Sequence, residues 1–211
     1  GPGASGKGTV ARMVAEALGF RYLDSGSIYR VAALAARQAG LDLDDEKAVA
    51  ALATGLDVTY QGEAVLLSGK DVTEAIRSEE VSQAASRIAA LPALRDALMW
   101  RQRAFLGRPG LVAEGRDMGS IVFPEATLKV YLTASVEERA ARRHKQLIEK
   151  GMRASLPSLL QDLVERDARD SRRSVAPLGK APGAVELDST GIGAKDVCER
   201  IVGWFRERTS L

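Results

Sequence analysis

The sequence opens with the stretch Gly1-Pro2-Gly3-Ala4-Ser5-Gly6-Lys7-Gly8-Thr9. It fits the first seven positions of the pattern G-x-x-x-x-G-K-[ST], while the hydroxyl residue, Thr9, comes one position late. Loops of this kind lack bulky side chains because consecutive backbone N–H groups bind phosphate oxygens, and the positive end of the next helix adds to the attraction. The stretch therefore predicts a phosphate-binding loop whose lysine, Lys7, contacts the β- and γ-phosphates of a nucleotide.

The sequence predicts the helix that should follow this glycine loop, but it does not contain the strand that should precede it. Apolar residues recur at helical spacing after it, so we expect a helix that opens at Gly8 or Thr9 and ends near Gly19. A loop of this type is also fed by a strand, and no strand stands before Gly1 in this sequence. We therefore expect a hydrophobic strand ahead of Gly1 in the natural chain, which is the first strand of the core. A glycine-rich tail would explain the glycines, but neither the lysine nor the helix.

Short apolar stretches and helical patterns alternate along the rest of the chain. The strand candidates are residues 20–23, 110–113, 128–132 and 185–187. The helix candidates are residues 28–40, 135–150, 158–173 and the segment from 194 onward, and Ser135 with Glu138 forms a candidate capping box. Strands that alternate with helices predict an α/β fold in which a parallel sheet is flanked by helices.

The region between the first two of these β-strand candidates reads as an insertion. Residues 56–67 alternate like a hairpin about Gln61-Gly62, and residues 71–106 are mostly helical with a break near Pro92.

Charge and hydropathy limit the class of protein. Basic and acidic residues nearly cancel over the 211 residues, at 30 against 28, as in a folded protein. Eight arginines fall between Arg139 and Arg173, which suits a polyanion such as a nucleotide or RNA, although a solvated helix face would look the same. We find no signal peptide and no apolar run of membrane-spanning length in the sequence, which favours the cytoplasm and predicts no membrane partner.

Polar residues follow the predicted strands, at the sheet edge where open parallel sheets bind ligands. Asp24-Ser25-Gly26 comes first, and Tyr29 and Arg30 lie in the first turn of the next helix. Ser25 is a candidate helix cap. The positive charge of Arg30 opposes the positive end of that helix, so it indicates an anion nearby.

Two further groups extend this edge. In Gly115-Arg116-Asp117, the arginine can grip a phosphate with two N–H groups, although a surface ion pair would have the same composition. Arg166, Asp170 and Arg173 share one helix face at spacing i, i+4 and i+7, where a salt-bridge stripe is the alternative. Because the glycine loop already binds one nucleotide, these arginines indicate a second anionic substrate.

Five segments, in this order and spacing, resemble bacterial cytidylate kinases over almost the whole chain. They are G-P-G-A-S-G-K-G-T, L-D-S-G-S-I-Y-R, R-Q-R-A-F, E-G-R-D-M-G-S-I-V-F-P and E-R-D-A-R-D-S-R-R-S-V-A-P-L. The resemblance implies a P-loop kinase of the nucleoside monophosphate kinase type. Its core would comprise residues 1–27, 104–141 and 158–211, with a monophosphate-binding insert at about 28–103 and a lid at about 142–157.

The resemblance also implies an activity: transfer of the γ-phosphoryl group of ATP to CMP or dCMP, with Mg²⁺. Arg30 and Arg116 would hold the CMP phosphate, and Arg95 with Asp117 would read the cytosine edge. A carboxylate there accepts from the N4 amine of cytosine and repels O4 of uracil. The other residues expected to contact CMP are Ser25, Tyr29 and Arg173, and, at the sugar, Ser86, Arg166 and Asp170. A site that is complete for both substrates suggests a monomer with no nucleic-acid partner.

Catalysis in such a kinase needs positive charge and in-line positioning, because the CMP phosphate is itself the nucleophile. Lys7, Mg²⁺ and the lid arginines would supply that charge. The lid candidates are Arg142, Arg143 and Arg153, and Thr9 or an acidic residue would hold the metal, partly through water.

Two departures from the family pattern stand out. Glu114 replaces the commoner aspartate, and Gly3-Ala4-Ser5 replaces the commoner order Ser-Gly-Ala. Neither removes a required charge, so we expect slower turnover or weaker binding at most.

Two other functions remain open on the sequence alone. A kinase for a different small acceptor would keep the loop but would give no reason for the pair formed by Arg95 and Asp117. A nucleotide-dependent RNA-binding protein would use the arginine cluster instead, but aromatic residues make up only 5% of the chain and offer few stacking platforms.

Overall fold

The computed structural model describes residues 1–149 and 151–209. The chain divides into two compact units, one formed by Gly1–Leu23 with the segment from Phe105 onward, the other by Asp24–Ala104. The proposed core, insert and lid boundaries stay predictions, and the expected helix end at Lys150 and core residues 210 and 211 lie outside the described residues. No helix within the described residues combines the length and apolar character that a membrane span requires.

Helices and strands alternate along the chain. The helices are α1 (Lys7–Leu18), α2 (Ser25–Gln38), α3 (Glu46–Thr54), α4 (Glu79–Ile88), α5 (Pro92–Arg103), α6 (Val136–Glu149), α7 (Leu156–Ser171) and α8 (Ala194–Thr209). The strands are β1 (Arg21–Asp24), β2 (Val58–Gln61), β3 (Ala64–Leu67), β4 (Lys70–Asp71), β5 (Leu111–Glu114), β6 (Val130–Thr133) and β7 (Val185–Asp188). A short 3₁₀ turn covers Ala75–Arg77 and a π-helical turn covers Met118–Val122.

The predicted α/β class is confirmed, with parallel strands flanked by helices. Strand β6 pairs in parallel with β7, which places Val130 opposite Val185, and β1 lies beside β5. Helix α1 buries Val10 and Val14 in a cluster with Leu132, Leu187 and residues of α8. This packing fixes the helix that follows the glycine loop against the sheet.

Most element boundaries differ from the predicted ones by one or two residues, with a physical cause in two cases. Helix α1 already begins at Lys7, because Gly6 adopts φ 86° and turns the chain directly into the helix. In the predicted lid, residues 142–149 continue α6, and α7 starts at Leu156 inside the expected lid range. Pro157 stands in the first turn of α7, where a missing N–H does no harm.

The second unit contains the predicted hairpin and helices, and two elements that the sequence did not predict. Gln61 pairs with Ala64 at the end of the β2–β3 hairpin, whereas α3 and β4 were missed. Ser25 does not cap α2. The cap is Asp24, whose Oδ1 accepts the N–H of Ser27 at 3.0 Å.

The first unit contains a largely apolar, partly open cavity of about 570 Å³. Both β5 and β6 line it, and its walls include Val14, Val112, Leu132, Ile201 and Phe205. Within the described residues, β5 pairs with β1 and β6 with β7, and no pairing joins β5 to β6. The strand expected ahead of the glycine loop stays a prediction, and this cavity is the space that would suit it.

We expect an extended apolar segment of about five residues, joined ahead of Gly1, to raise the temperature of unfolding. It would pair with β5 and β6, and each buried valine or isoleucine would contribute about 1.5–3 kcal/mol. Calorimetry would compare a Val/Ile segment with a Gly/Ser segment of equal length. Equal midpoints would contradict the expected strand.

Candidate functional site

The glycine loop folds back on its own lysine. The Lys7 ammonium donates to the carbonyl oxygen of Pro2 at 2.5 Å and to the Ser5 hydroxyl at 3.5 Å. Two loop residues have left-handed backbone, Gly6 at φ 86° and Ala4 at φ 57°. The first conformation suits glycine, but the second strains an L-residue by about 1–2 kcal/mol.

Helix α6 holds the loop from behind through its arginines. Arg139 Nη1 donates to the carbonyl oxygen of Gly3 at 3.1 Å, and Arg142 Nη1 donates to that of Ser5 at 3.3 Å. In a trans peptide the N–H points away from the C=O of the same unit. The N–H groups of Ala4 and Gly6 are therefore directed away from α6, where they can meet an anion.

Arg142 makes further contacts that tie it to the end of β7. Its Nη2 donates to the carbonyl oxygen of Ser189 at 2.6 Å, and its Nε donates to Glu138 at 2.8 Å. The Ser189 hydroxyl accepts from Arg142 Nη1 at 3.1 Å and donates to the carbonyl oxygen of Thr133 at 2.9 Å. Arg142 thus lies against the loop, whereas Arg143 is half-buried and Arg153 exposed.

A buried carboxylate lies between two arginines beside the loop. Asp170, which is fully buried on α7, forms ion pairs with Arg116 Nε and with Arg173 Nη2. The sequence placed these three residues in one substrate site, and the structure brings them into direct contact. Their shared charge is one positive unit in excess, which suits an anionic ligand.

Arg116 keeps one donor for such a ligand. Its Nη2 is buried and has no hydrogen-bond partner among the described residues. The same atom lies 3.5 Å from the place that a Cβ on Gly3 would take, and Arg166 Cδ lies 3.9 Å from it. Arginines of the proposed acceptor site therefore border the loop directly.

Asp117 is 5% exposed and stands at the end of the loop after β5. Its carbonyl oxygen accepts the N–H of Val122, five residues on, at 3.3 Å, and this bond starts the π-helical turn. π-helical turns of this kind are frequent at functional sites.

The second unit holds Arg30 near the N-terminus of α2 by a salt bridge. Arg30 Nη2 donates to Asp24 Oδ2 at 2.6 Å, and Arg30 Nε is buried without a partner among the described residues. The sequence argument that only a bound anion explains Arg30 was therefore incomplete, because Asp24 supplies a negative charge. Ser25 donates to Gln102 Oε1 at 3.0 Å, a buried contact that the sequence did not predict.

Two of the residues expected at the base and sugar, Arg95 and Ser86, lie in the second unit. Arg95 is 4% exposed, donates to the carbonyl oxygen of Ala89 at 3.2 Å, and lies 5.8 Å from the ring centroid of Tyr29. Ser86 is buried as well. Arg95 and Tyr29 therefore lie together, and their contact with CMP stays a prediction.

Comparison with known proteins decides the family. The family model described as cytidylate kinase matches residues 1–207. The chain belongs to the cytidylate kinase family.

Relatives named cytidylate kinase cover nearly the whole chain. That of Chromobacterium violaceum is 54% identical over 99% of this chain and 94% of its own length. That of Bordetella bronchiseptica is 55% identical over 98% of this chain and 92% of its own, and that of Nitrosomonas europaea is 52% identical over 98% and 93%.

The residues around the start of α1 fit the magnesium ion that a kinase family implies. Thr9 is an exposed hydroxyl there, and Glu114 Oε1 lies 3.5 Å from the place that a Cβ on Gly8 would take. Among the described residues, no group of three or more histidine, cysteine or acidic side chains could enclose a metal. One or two oxygen ligands suit Mg²⁺, which takes its remaining ligands from water and phosphate.

Sequence reasoning missed Arg139, Ser189 and Gln102. A signal existed for Arg139, which lies three residues before Arg142 on the same helix face and belongs to the arginine cluster already noted. Ser189 lies two residues after the predicted strand 185–187 and directly after β7, so the rule applied at the other strand ends could have found it.

Asp170→Asn should lower the free energy of unfolding by about 3 kcal/mol, because it leaves two arginines without their buried carboxylate. Urea unfolding measures the change. Asp96→Asn is the control, since Asp96 is exposed on α5, and we expect it to change stability by less than about 0.5 kcal/mol. Equal effects of the two variants would mean that the Asp170 cluster contributes nothing.

Ala4→Gly should stabilise the chain by up to about 1 kcal/mol, because removing the left-handed strain outweighs the extra entropy of glycine in the unfolded chain. The matched control is Ala51→Gly, at an exposed position within α3, which should destabilise by about 1 kcal/mol. Urea unfolding of both variants checks the opposite signs. Destabilisation by Ala4→Gly would show that the loop is unstrained.

Proposed function

We propose that this chain transfers the γ-phosphoryl group of ATP to CMP or dCMP, giving ADP and CDP or dCDP. The observation that carries the proposal is the position of Arg116, which is anchored by Asp170 while its buried Nη2 borders the glycine loop. An arginine at that place can bind an acceptor phosphate next to a donor phosphate. The full-length similarity to cytidylate kinases supports the same reaction.

ATP would bind through the loop Gly1–Thr9. The N–H groups directed away from α6 would hold its phosphate oxygens, and the positive end of α1 would add to the attraction. Lys7 would exchange the Pro2 carbonyl for a β- or γ-phosphate oxygen, because an ammonium gains more from an anion than from a neutral acceptor.

The acceptor phosphate would attack the γ-phosphorus in line, and no general base is required because it carries no proton that must be removed near neutral pH. Arg116, Arg173 and Arg30 would bind that phosphate and orient it. Thr9, with Glu114 through water, would hold Mg²⁺, which would supply charge neutralisation for the ATP phosphates. Arg143 and Arg153 would stabilise charge on the transferring group. Arg142, which was expected to join them, is bonded instead to the Ser5 and Ser189 carbonyl oxygens behind the loop.

Recognition of cytosine would rest on Arg95 and Asp117. The Asp117 carboxylate would accept a hydrogen bond from the N4 amine, which uracil lacks. Ser25 and Tyr29 would complete the CMP-binding surface, and Ser86, Arg166 and Asp170 would contact the sugar. We also propose that the chain acts as a monomer, and its cytoplasmic location stays a prediction of the sequence.

Turnover of ATP with CMP, dCMP, UMP and AMP tests this specificity. We expect CMP and dCMP to give the highest kcat/KM, because only they offer an amine to Asp117 without a purine ring. A coupled assay of ADP release measures all four acceptors. Equal rates with UMP and CMP would rule out cytosine recognition and favour a broader kinase.

Lys7→Met should lower kcat by a factor on the order of 10²–10³, because it removes a positive charge placed at the transferring group. Lys195→Met is the matched control, since Lys195 is exposed on α8, and it should retain normal turnover. The same ADP-release assay checks both variants. Normal turnover by Lys7→Met would contradict the assigned role of the loop.

A further inference from the structure

Arg139 is buried between the glycine loop and helix α7, at 6% exposure. Its Nη1 donates to the Gly3 carbonyl oxygen at 3.1 Å and to Asp167 Oδ2 at 2.6 Å. Its Nε donates to the carbonyl oxygen of Ala134, directly after β6, at 3.1 Å. One guanidinium therefore joins the loop to the end of a core strand and to α7.

The contact with the Gly3 carbonyl lies next to Ala4, the residue of the loop whose backbone is strained. The Gly3 carbonyl belongs to the same peptide unit as the Ala4 N–H, and Ala4 has the strained φ of 57°. A strained backbone persists only where its surroundings hold it. Bonding of the Gly3 carbonyl to Arg139 fixes the orientation of this peptide, and with it the direction of the Ala4 N–H.

Asp167 keeps the Arg139 guanidinium in place. The two side chains are 7% and 21% exposed, so solvent weakens their ion pair only in part. Asp167 Oδ1 is buried with no partner among the described residues. The carboxylate therefore bonds Arg139 through Oδ2. One turn further along α7, Asp170 holds Arg116.

We propose that Arg139, oriented by Asp167, is a positioning residue that sets the glycine loop in the conformation that binds the ATP phosphates. In this role Arg139 would act through the loop and would not itself touch the nucleotide. Its kinetic consequences rest on the proposed function, but its effect on nucleotide binding does not.

The direct test is the affinity of Arg139→Met for β,γ-imido-ATP with MgCl₂, measured by isothermal titration calorimetry on the full chain. We expect the Kd to rise on the order of tenfold, as for the loss of one charged hydrogen bond. Arg200→Met is the matched control because Arg200 is exposed on α8, and its Kd should stay within about twofold of the unsubstituted chain's.

A destabilised control variant distinguishes the positioning role of Arg139 from a purely structural one. Val49→Ala opens a space in α3, where Val49 is fully buried, so it should lower the midpoint of thermal unfolding without changing the Kd. If Arg139→Met lowers the midpoint and leaves the Kd unchanged in the same way, the positioning role is overturned.

The role of Asp167 is tested by a double-substitution cycle. If Asp167 acts through Arg139, then Asp167→Asn raises the Kd, and adding it to Arg139→Met has no further effect. Additive effects would overturn the pairing. Should Arg139→Met fail to fold, Arg139→Lys, which cannot reach all three acceptors, replaces it, and an unchanged Kd in both Arg139→Lys and Asp167→Asn overturns the proposal.

Steady-state kinetics add a second readout. The KM for ATP should rise in Arg139→Met while the KM for CMP stays within about twofold, since Arg139 bonds the loop and not the acceptor residues. If the unsubstituted chain binds β,γ-imido-ATP but does not phosphorylate CMP, the proposed function fails and the calorimetric test of Arg139 still stands.

Discussion

The structure depends on one constraint of the glycine loop: each peptide unit has both a donor and an acceptor, and both must be satisfied. Anion binding uses the donors, so the acceptors need partners on the opposite side. Arg139 and Arg142 provide them from α6 by bonding the carbonyls of Gly3 and Ser5. Helix α6 thus lies at the place behind the loop where its arginines meet this requirement.

The acceptor side is organised by a buried negative charge. A carboxylate as buried as Asp170 is stable only when it is paired, and here two arginines pair with it. The carboxylate holds Arg116 and Arg173 close to each other, which their like charges would otherwise oppose. If this is the acceptor site as proposed, a phosphate would find its ligands already oriented, and less conformational entropy would be lost on binding.

The sequence predicted those features that depend on interactions between residues close together in the chain. The glycine loop, the helix after it and the residues at the strand ends follow from composition and periodicity over short windows. The contacts that support the loop join residues far apart in the chain: Arg139 and Gly3 are separated by 136 positions, and Ser189 and Ser5 by 184. Spacing rules do not reach that far. At the start of α2 two adjacent cap candidates competed, and the longer Asp24 side chain, not Ser25, reaches the Ser27 N–H.

The contact between Lys7 and the Pro2 carbonyl has a consequence for specificity. The Pro2 carbonyl oxygen competes with an incoming ligand for the Lys7 ammonium. A ligand that binds Lys7 must displace this carbonyl. A ligand with a weakly basic or neutral oxygen gains little from this exchange, whereas a polyphosphate gains a full ionic contact. We therefore expect the loop to favour polyphosphates over small neutral metabolites, whatever their shape.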